Sequence, residues 1–131
     1  MPIPQDLADF RADEIIQIAD STCKENLKWI KTNQIRNVFS HISSIKMDFK
    51  ANKKYNDKIS NDLIMLKPKL AYASGRQSGR DKRNYEVFMN TLWKAVDGVI
   101  NSRDQDKAFE NFLNFVEAIV AYHKYHGGQD K

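Results

Sequence analysis

Arg36 and His41 stand five residues apart in the stretch RNVFSH. An imidazole beside a guanidinium can cleave a phosphodiester: histidine moves the proton and arginine stabilises the pentavalent phosphate. Five residues of helix turn the two side chains about 140° apart, which works against convergence. His123 and His126 are three apart and share a helix face, half of a metal site, but no third ligand accompanies them. The acids are scattered, and no serine or cysteine has an evident base partner. The expectation is no catalytic residue, no metal and no cofactor.

A second chemistry has more residues behind it, the binding of phosphate without breaking it. Lys31, the polar pair Thr32 and Asn33 as helix cap, the free N–H groups of the following turn and Arg36 form one candidate phosphate cradle. The alternative is an Arg36 that snorkels over the core edge. The stretch LKPKLAYASGR, Leu66 to Arg76, places Lys67 and Lys69 on the two flanks of an apolar stripe, with Tyr72 pointing away from it. It runs into GRQSGRDKR, two glycines with four basic residues and one acid. Guanidinium groups bind phosphate oxygens bidentately, so Arg76 and Arg80 on flexible backbone suit phosphate contact. The glycine spacing is not that of a P-loop. Candidate contacts are Lys31, Asn33, Arg36, Lys67, Lys69, Tyr72, Arg76 and Arg80.

Charge supports this chemistry. The chain of 131 residues carries net +4, unevenly spread. Residues 1–30 are net −3, residues 31–83 net +9 and residues 84–131 net −2. A basic middle between acidic ends points to one surface that faces a polyanion; chance clustering on solvated helix faces is the alternative.

The elements that must position these groups all read as helices. Leu7 to Ile30 carries an interrupted apolar stripe, one helix or two broken at Ser21–Thr22. A second helix opens at Thr32 or Asn33 and holds Ile35, Val38, Phe39, Ile42, Ile45 and Phe49 at 3.6-residue spacing. Ala51 to Lys58 is aperiodic and reads as a loop. Ile59, Leu63, Leu66, Leu70 and Ala73 keep phase across Pro68, which predicts a third helix bent at Pro68 on its outer side and capped by a left-handed Gly75. Asn84 to Ile100 and a segment after Asp104 and Asp106 are the fourth and fifth. The fifth is apolar over half its circumference, so it is either central or faces another subunit. The fold class is therefore all-α, a compact bundle of about five helices in one domain over residues 1–131, with residues 1–5 and 127–131 expected to be flexible. Cys23, the sole cysteine, reads as core filler. No apolar run suits a membrane span and MPIPQDLADF lacks a signal peptide's regions, so a cytoplasmic place is expected.

Three stretches, TNQIRNVFSHI, LKPKLAYASGR and FLNFVEAIVAYHKYHGG, occur in the order found in the small helical subunit family of type III-A CRISPR effector complexes, the Csm complexes, which this chain resembles over about residues 10–128. The resemblance implies a non-catalytic subunit whose copies stack along a filament beside the backbone subunits. It implies contact with the target strand of a guide RNA–target RNA duplex and with the large subunit at one end, and no membrane. RNVFSH also resembles the short motif of HEPN ribonucleases, which leaves a ribonuclease using Arg36 and His41 as one alternative. A helical adaptor with an acidic protein partner is another.

Overall fold

Most apolar stripes in the chain meet on one helix, the last, while those of residues 57–75 pack on its neighbours. The computed structural model describes residues 3–128. Among them are six α-helices and two 3-10 turns, with no strand: a turn at Leu7–Asp9, α1 (Ala12–Glu25), a turn at Leu27–Trp29, α2 (Thr32–Asn52), α3 (Asp57–Ile64), α4 (Leu66–Gly75), α5 (Gly79–Ile100) and α6 (Gln105–Tyr125). The all-α bundle read from the sequence is the fold observed.

The wide apolar circumference of α6 has a structural explanation. The helix is central, packed by α1, α2, α5 and both 3-10 turns. Phe109, Phe112 and Phe115 are fully buried on it, each contributing about 1.5–3 kcal/mol of transfer free energy. Phe10 meets Phe115 at 5.3 Å and Phe49 meets Phe109 edge-on at 4.9 Å. Asp104 caps α6 by accepting from the Lys107 N–H, and Gly127 ends it with φ +84°.

The N-terminal stripe is not one helix and does not break at Ser21–Thr22. It breaks at Phe10–Arg11 and at Asn26. Asp6 accepts from the Ala8 N–H, the Ser102 hydroxyl and Arg103, which straps the first turn to the α5–α6 connection. Leu7 then presses on Gly98, where any Cβ would lie 3.2 Å from Leu7, so a larger residue there requires Leu7 to give way by a few tenths of an ångström. Of the ends expected to be flexible, residues 1–2 and 129–131 lie outside the described residues, Ile3 packs against the core and Gly128 lies on His123.

The expected third helix resolves into α3 and α4, and the bend falls at Met65 rather than at Pro68. Proline acts four residues upstream: it has no N–H to offer the Ile64 carbonyl, and its ring crowds that carbonyl. Pro68 itself lies exposed in the first turn of α4, where no N–H is required. The phase survives the break, because Ile59, Leu63, Leu66 and Leu70 are all buried.

Other boundaries shift as well. α2 continues to Asn52 and ends on Lys53 with φ 58°. The remaining loop is pinned by buried Tyr55, whose N–H donates to Asp106 at 2.7 Å. Residue 31, not Thr32 or Asn33, is the N-cap of α2, and Gln34 accepts from its N–H at 3.4 Å. Thr32 is helical, with its buried hydroxyl unpartnered among the described residues. Gly75 is the last helical residue of α4, and the left-handed glycine is Gly79, φ +57°, at the start of α5. Most of GRQSGRDKR is therefore helix, with three residues, 76–78, left between α4 and α5.

Candidate nucleic-acid interface

α2 packs on α6 and α3, while α4 packs on α5 and α3. The two helices share α3 at one end and diverge from it, leaving a trench between them. Its middle is a hollow of about 350 Å³. Smaller hollows of about 200 Å³ adjoin it at either end. Gln34, Gln77 and Tyr85 line both the middle and the end near Trp29. His41, Leu66 and Lys69 line both the middle and the end near Met65. The trench is thus continuous.

Helical phase decides what faces it. On α4, Leu66, Lys69, Leu70 and Ala73 recur every three or four residues, Arg76 and Gln77 follow just past its end, and all six line the middle hollow. On α2, Asn33, Asn37 and His41 recur every four and do the same. Lys31 and Arg80 stand at the Trp29 end with Asp81. Five of the eight candidate contacts, Lys31, Asn33, Lys69, Arg76 and Arg80, therefore line one surface. Tyr72 lies beside it, 71% exposed, with the Arg76 guanidinium 5.8 Å above its ring.

Arg36 and Lys67 are placed elsewhere. Arg36 lies round α2 from His41 and lines no part of the trench, so the structure does not bring that pair into one site. Lys67 leaves α4 on the flank facing α5. It is ion-paired to Asp97, with its ammonium 5.7 Å from the centre of the Trp93 ring.

The electrostatics of the trench are one-sided. Its two acids are at the ends, Asp81 near Trp29 and Asp62 near Met65, and Asp62 is held by Lys58 at 3.1 Å. Asp48 and Asp62 raise the Lys58 pKa in turn. Burial pushes the Tyr85 hydroxyl up to about 12, so this part of the lining stays uncharged even in alkaline solution. Arg80, Lys82 and Arg83 crowd the first turns of α5 against its dipole, and Asp81 is the one acid among them. That arrangement costs stability locally and strengthens the positive field where the trench begins.

The histidine pair is divided between separate partners. His123 is buried with Nε2 2.7 Å from the Ile30 carbonyl oxygen, and His126 pairs with Asp20 at 2.6 Å. No cluster of three metal-ligating side chains occurs among the described residues. Cys23 is fully buried, as expected of core filler, and its thiol donates towards the Ile119 carbonyl at 3.4 Å.

The charged residues and Asn33 pointed to this surface from the sequence, but the other carboxamides of α2 that line it, Gln34 and Asn37, did not. Asn33, Gln34 and Asn37 occupy positions i, i+1 and i+4 of one helix, so their common face was legible; a count of charges passes over it.

Comparison with known proteins settles the family. The profile described as Csm2 Type III-A matches residues 9–129. This chain belongs to the Csm2 type III-A family. A relative from Streptococcus thermophilus, the CRISPR system Cms protein Csm2, is 27% identical over 121 residues, which cover 92% of this chain and 91% of the relative. The match to the family takes in all six helices and the whole trench between α2 and α4. No helix among the described residues is long and apolar enough to cross a membrane.

Proposed function

We propose that this Csm2-family protein is a non-catalytic, RNA-contacting subunit of a type III-A effector complex. Its trench lies along the sugar–phosphate backbone of the target strand in a guide RNA–target RNA duplex. Its neighbours are the backbone and large subunits of the complex and further copies of itself, in the cytoplasm. The observation that carries this reading is the convergence of Lys31, Lys69, Arg76 and Arg80 on one trench whose acids are confined to its ends. Cations with carboxamides are the groups that position a protein on a phosphate chain without reading sequence. Base pairing with a guide reads the sequence in such a complex, so the subunit needs no base code.

The test is recovery of tagged protein from its native cells. RNA of defined length and the other subunits of the complex are expected with it. Recovery with an acidic protein alone, undisturbed by added duplex, would replace this reading with the adaptor. Cleavage of labelled RNA by pure protein, abolished by His41→Ala, would replace it with the ribonuclease.

A further inference from the structure

The middle of the trench is built for more than a phosphate chain. A surface that meets only backbone needs a row of cations. This one has a hollow of about 350 Å³ between its cations, at the lower end of the range for small-molecule sites. Val38, Leu66, Leu70 and Ala73 give the hollow an apolar floor, and Asn33, Asn37 and Gln77 are at its rim. Apolar floor and amide rim suit a flat heterocycle with polar edges. Asn33 and Asn37 are exposed, and neither side chain is engaged by a hydrogen bond among the described residues.

Two planar groups complete the arrangement. The His41 ring and the Arg76 guanidinium, both exposed, line the hollow from α2 and from α4. Imidazole rings and guanidinium planes are the surfaces on which unpaired bases stack. Cations stand on both sides of the hollow, Lys69 towards Met65 and Lys31 with Arg80 towards Trp29. A base in the hollow would have its 5′ and 3′ phosphates within their field.

We infer that the middle of the trench seats one unpaired nucleobase of an RNA strand, with the strand's flanking phosphates held by Lys69 on one side and Lys31 and Arg80 on the other. This rests on the RNA-contacting role proposed above and adds a requirement to it. A paired base has its edge occupied and both faces stacked, so it cannot enter; a base in a single strand, bulge or displaced position can. Carboxamides carry a donor and an acceptor and turn over readily, so the rim accepts any of the four bases. The site selects unpaired over paired RNA without selecting sequence.

The test compares ligands of equal phosphate number at one salt concentration by fluorescence anisotropy: a short single-stranded RNA, the same strand with abasic riboses at its centre, and the fully paired duplex. The intact strand is expected to bind about tenfold more tightly than the abasic one, the scale of one base stack. It is also expected to bind more tightly than the duplex. Two variants locate the effect. Asn37→Ala, at an exposed rim position that cannot disturb the core, narrows the gap between intact and abasic strands. Ala73→Leu fills the floor and closes the gap while leaving the salt dependence unchanged. Equal binding of intact and abasic strands overturns the base site while leaving the backbone contact standing. Absence of salt-dependent RNA binding by any ligand overturns both. A free nucleoside monophosphate that binds as tightly as the strand would show a nucleotide site instead, and would overturn the assignment to RNA.

Discussion

Cys23 and Asp6 show how far single side chains are set by their surroundings. Burial, with the charge of Asp20 adding to it, pushes the Cys23 thiol up to about 12. Native protein is therefore expected to resist a thiol reagent at neutral pH and to react fully once unfolded, and fast native labelling would contradict the core assignment. Asp6 is shifted the other way. The Ser102 hydroxyl, then the Ala8 N–H, with Arg103 adding, hold its carboxyl at about 2, against the usual 3.8. A carboxyl depressed in the folded state stabilises fully above its unfolded value and loses that contribution as pH falls through the folded one. Asp6→Asn is thus expected to lower the melting temperature at pH 7, and the difference from wild type should close as the pH approaches about 2. A difference independent of pH would mean that the strap works by shape alone.

At the scale of elements, the α3–α4 junction and the start of α5 set the trench wall. Pro68 occupies a first-turn position, so Pro68→Ala should change stability by less than about 1 kcal/mol, whereas Leu70→Ala on the same helix should cost about 3 kcal/mol by opening a cavity. Both are read by chemical denaturation, and a large cost for Pro68→Ala would mean that the ring itself packs. Gly79 holds φ +57° with open space around it, so Gly79→Ala is expected to cost about 1 kcal/mol through backbone strain alone. These elements also show what the sequence made legible. The apolar phase of residues 59–73 was readable because burial obeys helical spacing. The position of the bend was not, since it depends on the carbonyl four residues before the proline. GRQSGRDKR looked like a loop because two glycines suggest one; its first glycine closes α4 and its second opens α5, leaving Arg80 on a helix.

Across the whole molecule, the chain lays out its charge in sequence and the fold gathers part of it. The +9 middle segment covers three helices and the start of a fourth, yet Lys67 is spent on Asp97 and Arg36 faces away from His41. Which cations converge follows from how α2 and α4 diverge from α3, a tertiary angle that no local pattern encodes. That is why five of the eight candidate contacts meet and three do not. The most direct test of the central claim, that the trench is the RNA-facing surface, is the salt dependence of RNA affinity in two variants. Lys69→Ala with Arg80→Ala removes two trench cations assigned to phosphates, while Lys67→Ala removes one that the fold has already paired. For a single strand, each lost phosphate contact should reduce the slope of log affinity against log salt by about 0.7. The account predicts a shallower slope, by about twice that, for the double variant and an unchanged slope for Lys67→Ala. An unchanged slope in the double variant, or a loss in Lys67→Ala as large as in the trench, would contradict it.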